Sequence, residues 1–225
     1  MRRPLAPEQL VRPLAASLVI VVLAKSLMAY ADYLPPNFDS DFLRGRAGYF
    51  FTAYRWAFYT HISAAPLALL LGTILVSDTF RRRWPLWHRR LGRLEVAIVL
   101  LAVAPSGLWM ARHAAAGPIA AAGLAILALI TATCAGLGWR SAVRGRFHDH
   151  GRWMWRTYLL LCSAVVLRLA GGLATVAGVS ATWFEPAAIW AATLLPIVAH
   201  ELATWPMAPG RRVSGRERRG HRTPS

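Results

Sequence analysis

Six apolar runs alternate with short polar segments along this chain, at about 13–31, 48–77, 94–111, 119–139, 153–178 and 182–205. Crossing the roughly 30 Å hydrocarbon layer takes about 20 residues of helix, and each run approaches or exceeds that length. An unpaired backbone cannot lie in lipid, so the pattern predicts an all-α integral membrane protein with six transmembrane helices in one bundle. Residues 1–12 read as a basic arm and 206–225, rich in Pro, Gly and Arg, as a disordered basic tail. The triplet Ala29-Tyr30-Ala31 also resembles a signal-peptidase site. Lys25 interrupts the apolar region before it and favours a retained helix.

Small residues recur every four positions in two of the runs, as Ala64, Ala68 and Gly72 and again as Ala128, Ala132 and Gly136. Such stripes let one membrane helix approach another closely.

Charge then sets the orientation. The segments 81–93 and 140–152 carry six and four arginines, and the tail is also dense in arginine. The segments 32–46, 112–118 and 179–185 hold few basic residues and most of the loop aspartates. The positive-inside rule places both termini in the cytoplasm. A net charge of +16 suggests nucleic acid at first sight, but the cations sit between membrane runs rather than on a free basic stripe. Nucleic acid is therefore excluded as a partner, and the lipid bilayer is the expected one. Arginine outnumbers lysine 25 to 1, a GC-rich coding habit that points to a bacterial plasma membrane. Cys134 and Cys162 both fall in apolar runs and read as packing residues.

Polar groups at membrane depth carry the functional signal. Counting helix rise from the loop ends puts Lys25 at about 20 Å, Arg168 at about 22 Å and His61 at about 25 Å from the arginine-rich face. One reading has Lys25 snorkelling, His61 capping a backbone carbonyl, and Arg168 pairing with Asp32, Asp41 or Glu185. The other is a cationic pocket for an anionic or quinone-like headgroup, with His61 as a candidate haem-iron ligand. A second layer at the inner face comprises His88, Arg93, Glu95, His150, Arg156, His200 and Glu201. It reads either as charge pairs stitching the helix ends together or as a proton relay, cofactor or headgroup site.

Other chemistries lack support. His200-Glu201 has no second zinc-binding histidine downstream, and His148-Asp149-His150 reads as a solvated loop. There is no nucleotide-binding glycine loop and no nucleophile with a partnered base, so soluble-type hydrolysis has no support and enzymatic activity stays undecided.

The pattern His88-Arg89…Gly92-Arg93, then His150…Trp153-Met154…Arg156…Tyr158, Arg168 within Ala164–Leu169, and Pro196…Glu201 resembles the bacterial predicted membrane proteins grouped as domain of unknown function 2306. The resemblance spans about residues 50–202 and implies a multi-pass membrane protein without an assigned activity. More distantly, the chain is similar to six-helix cytochromes b and ferric reductases. That similarity implies haem b held by histidines on facing helices. The fourth run has no histidine, and His61 pairs with His113 only if His113 reaches inward. A redox or cofactor-binding protein leads these readings. A solute or lipid-headgroup transporter and a non-catalytic assembly subunit are its alternatives.

Overall fold

The computed structural model describes residues 7–40 and 42–204, with side chains over 16–40 and 42–202. Its long helices are α1 (Pro7–Met28), α2 (Ala47–Leu75), α4 (Pro85–Ala111), α5 (Gly117–Val143), α6 (Phe147–Val176) and α7 (Phe184–Thr204). A short α3 (Asp78–Arg83) joins α2 to α4. No strand occurs among the described residues.

α2, α4, α5 and α6 close a four-helix ring, each packed on the next, with α6 returning to α2. α7 lies along α5 and α6, and α1 lies along α6 and α2. Short connections force neighbours to run antiparallel. All the arginine-rich turns therefore share one end of the bundle.

Four helices among the described residues, α2, α4, α5 and α6, are long and apolar enough to cross a membrane. Only 28–39% of each apolar window is buried within the protein, which leaves most of it to meet lipid. Exposed tryptophans mark both boundaries, Trp84, Trp87, Trp139 and Trp155 at the arginine-rich end and Trp56, Trp109 and Trp183 at the other. Amphipathic indoles favour such interfacial positions.

The segments expected as basic loops are mostly helical. α3 and the first two turns of α4 occupy 81–93, and α6 starts at Phe147, so only Arg144–Arg146 separates it from α5. Arginine and leucine are good helix formers, and Pro85 stands where its missing N–H costs nothing. Ser77 caps α3 by accepting from the Phe80 amide at 3.3 Å. Likewise α1 begins at Pro7, inside the expected arm, while the tail at 206–225 lies outside the described residues.

Two glycines stop helices where a left-handed residue is needed. Gly145 has φ +71° and Gly178 φ +67°, and the residue after each donates back to Ser141 and Ala174 respectively. That is the double-bonded helix ending that glycine alone adopts cheaply.

The core is in two parts. Ala64, Ala68, Val99, Val103, Ala135, Leu161 and Val165 fill the ring, with Val19 and Val22 of α1 against it. At the end opposite the arginines, Leu43, Phe50, Tyr54 and Phe58 form an aromatic lid with Tyr33, Phe38, Tyr49 and Tyr59 packed on it.

The first small-residue stripe is in contact as expected: Ala68 is fully buried and Gly72 faces a carboxyl on α4. The second is in contact only in part: Ala128 is buried, 3.7 Å from where a Cβ on Gly107 would stand. Gly136 has nothing within 4 Å of where a Cβ would stand, whereas Gly123 is pressed by Ile189 and Trp190, and Gly138 by Met154. The bulky side chains of α6 and α7, not the four-residue spacing, decide where α5 needs glycine.

Candidate functional site

In the lid-side half of the ring, His61 of α2 lies across α4. Its Nδ1 is 3.0 Å from Ser106 Oγ, and a Cβ on Gly107 would stand 3.3 Å from its Cε1. A serine and a glycine in succession thus make the seat for the ring. Ser106 sits just past a π turn, Val99–Val103, followed by Pro105. Such turns leave carbonyls without a helix partner.

The Ser106 hydroxyl donates to Ala102 O at 2.5 Å. Val103 O lies 3.2 Å from the same hydroxyl, and with the serine proton on either carbonyl the imidazole is the donor in the His61–Ser106 bond. The Val103 carbonyl is a second acceptor beside the same histidine. This arrangement suits the Nδ1–H tautomer, which carries its lone pair on Nε2. Such a hydrogen bond at one ring nitrogen is what orients a histidine that binds through the other.

Arg168 of α6 acts electrostatically on both His61 and Tyr30, which ties it to this region. It is nevertheless exposed on α6, with Nη1 3.3 Å from Ala164 O. Neither Asp32 nor Glu185 makes an ion pair with it, and Asp41 lies outside the described residues. Lys25 is exposed on α1. A half-buried histidine thus stands with cations on exposed helix faces, where long side chains can reach the interface.

His113 does not reach inward. It stacks on Tyr49 at 4.6 Å and meets Tyr54 edge-on at 5.2 Å, inside the lid.

At the arginine-rich end, Arg156 Nε donates to Glu201 Oε1 at 2.7 Å and the guanidinium lies over Trp153 at 4.4 Å. This pair joins α6 to α7, as expected of the inner layer. Arg152 is exposed and lines a cleft of about 350 Å³ with Asp149, Trp153 and Arg156. His200 stacks on Trp155 with centroids 6.3 Å apart, and Arg93 is exposed. His150 Nδ1 is 2.9 Å from Gly138 O, and since a carbonyl only accepts, the ring donates there. His88 acts electrostatically with His150, and its Nδ1 is buried without a hydrogen-bond partner. His148 is exposed, 3.7 Å from Asp149.

Glu95 departs from the expected stitching. It is 2% exposed and no charged side chain acts on it. Its Oε1 lies against Gly72 of α2, and the Tyr158 ring of α6 lies against the same glycine.

Three participants were not singled out in the sequence: Ser106, Gly107 and Tyr30. Ser106-Gly107 directly after Pro105 was the available signal for the first two. Pro66 four residues past Ile62 was the signal for Tyr30, whose hydroxyl donates to the Ile62 carbonyl.

The ring of apolar helices with paired tryptophan belts defines a multi-pass helical membrane protein. The family model described as Predicted membrane protein (DUF2306) matches residues 58–203, well over half of the sequence, and the chain belongs to that family. The match includes His61, Glu95, Arg168 and Glu201 and leaves out Lys25. No curated protein and no solved structure matches the chain.

Proposed function

We infer that this protein binds a redox-active headgroup of the quinone class in the lid-side half of the bundle, with His61 as its principal contact. The observation that carries this is the seat of His61, whose Nδ1 is 3.0 Å from a Ser106 hydroxyl that itself reaches Ala102 O, an arrangement that suits Nδ1–H and leaves a lone pair on Nε2. Such a nitrogen accepts from a quinol hydroxyl, while Arg168, a permanent donor, suits a second oxygen of the headgroup.

Haem fits less well. Ligation of the kind seen in cytochromes b takes a histidine from each side, and among the described residues His113 is held in the lid while His88, His150 and His200 lie towards the arginine-rich end. His61 would then be a single axial ligand.

The same reading has α1 and α7 crossing as fifth and sixth spans. It puts the arginine-rich end in the cytoplasm and the chain in the bacterial inner membrane. α7 has 21 residues, about 30 Å of helix, which matches the bilayer core.

The cleft at Arg152 and Arg156 supports a second reading, an anionic headgroup docked at the arginine-rich face, because it offers two guanidiniums beside an indole.

Solvent extraction of the purified chain, with absorption spectra as isolated and after dithionite, separates these. Quinone retained by the wild type and lost from His61→Leu and Arg168→Leu, but not from Arg144→Leu, supports the first reading. A Soret band that shifts on reduction replaces the quinone with haem. Neither quinone nor haem, with phospholipid bound in an Arg152-dependent manner, leaves the second.

A further inference from the structure

A further titratable group in the ring is Glu95, and it is buried. Its carboxyl has no hydrogen-bonding or ionic partner among the described residues, and it is 2% exposed. The niche is shaped around it. A Cβ at position 72 would stand 2.9 Å from Oε1 and 3.0 Å from the Tyr158 ring, so the acid fits only because α2 carries glycine there.

The groups facing it are few. α2 brings no titratable side chain to the niche, only Gly72 and Thr73, and Thr73 Oγ1 is 3.4 Å from the Tyr158 hydroxyl. α6 brings the Tyr158 phenol, with the Cys162 thiol one turn on. On α5, Cys134 interacts electrostatically with Arg156 and Glu201 instead. A carboxylate without a counter-charge in such surroundings is strongly disfavoured, so occupancy by a proton is what makes the acid tolerable there.

A second unpartnered group lies towards the arginine-rich end of the same helix. His88 precedes Glu95 by seven residues, two turns or about 10 Å, and its Nδ1 is itself buried without a partner. Beside it stands His150, anchored through Nδ1 to Gly138 O, which leaves Nε2 as an acceptor. Two imidazoles at the arginine-rich end and one carboxyl two turns deeper, all with unused bonding capacity, are thus carried by α4 and α6, which stand opposite each other in the ring.

We propose that Glu95 is a proton-binding site, loaded from the arginine-rich face through His88 and His150. The ligand is the proton, shuttled between the imidazoles and the carboxyl with no change in oxidation state. The site is distinct from that of His61, which lies about 16 Å away along α2 from Gly72, and does not depend on the quinone reading.

Infrared difference spectroscopy of the full chain in liposomes tests this. The expected result is a protonated-carboxyl stretch in the wild type that disappears reversibly as pH is raised and is missing from Glu95→Gln. In pH-jump experiments, His88→Ala with His150→Ala should slow its appearance at least about tenfold. Dicyclohexylcarbodiimide, which attacks protonated carboxyls in apolar surroundings, gives a readout on unmutated protein. It should label Glu95, and the label should fade in step with the band. A carboxyl ionised throughout overturns the proposal. So does a band or label unchanged over the whole pH range in which the protein stays folded, the mark of a fixed structural acid. Exchange at the wild-type rate in the double histidine variant overturns the route.

Discussion

The Tyr30 hydroxyl donates to the carbonyl of Ile62, the carbonyl whose α-helical partner would be the amide that Pro66 lacks. A residue just past the end of α1 thus satisfies a backbone group inside α2, and Arg168 acts on the same phenol from α6. In lipid no water takes over a freed carbonyl, so the bond also fixes how α1 docks. Tyr30→Phe should destabilise the bundle by about 1–3 kcal/mol, the usual cost of a stranded buried acceptor. In a Pro66→Ala background the helix supplies its own amide, and the loss should shrink, giving a coupling of about 0.5–3 kcal/mol. Thermal unfolding of the four proteins in detergent reads the cycle, and strict additivity would separate the two residues.

Glycine positions give a second contrast. Gly72→Ala puts a methyl against Glu95 and Tyr158, and overpacking of that kind should cost about 1–3 kcal/mol. Gly136→Ala meets nothing within 4 Å and should be neutral or stabilising by up to about 1 kcal/mol through helix propensity. The two melting temperatures should shift in opposite directions or by very different amounts.

These cases show what a linear sequence discloses. Run length and arginine placement give the helices and their alternation, because the bilayer imposes a fixed length and the loops a charge bias. A polar helix looks like a loop at this level, as 81–93 and the start of α6 do. Spacing identifies a small-residue stripe but not the neighbour it faces. Ala64, Ala68 and Gly72 point into the ring, whereas α5 meets Met154 and Ile189 at Gly138 and Gly123. The candidate sites divide the same way. His61, Arg156 and Glu201 stand out as polar groups in apolar runs and do make contacts. Arg168 stands out equally and is exposed, since burial depends on the angular position of α6. Glu95 among arginines reads as a paired acid, yet helix rotation turns it inward while Arg93 stays outside.

The Arg156–Glu201 pair should act as a clasp between α6 and α7. Both side chains are partly exposed, at 15% and 34%, so the coupling in a double-mutant cycle of Arg156→Met and Glu201→Gln should be about 1 kcal/mol rather than that of a buried pair. Raising ionic strength should reduce it. Limited proteolysis near residue 180 should accelerate in either single variant if the clasp holds α7 in place, and an unchanged cleavage rate would assign the docking of α7 to its apolar contacts alone.

Ser106 offers the sharpest separation between fixing the His61 tautomer and merely filling space. Ser106→Ala removes the acceptor at 3.0 Å while leaving the Val103 carbonyl beside the ring, so the imidazole keeps one anchor and loses the better one. Loss of a group that orients a binding histidine typically weakens binding by about 10–100-fold. A fall near the lower end is expected here because of the remaining carbonyl. Ser106→Thr preserves the hydroxyl and should restore most of the affinity if its methyl is accommodated, whereas Ser106→Cys, with a weak acceptor, should not. Quinone retention measured across the three variants, beside their melting temperatures, decides the matter. Binding that tracks stability alone would make Ser106 a packing residue, and binding that follows the acceptor strength at position 106 would make it the residue that aims Nε2.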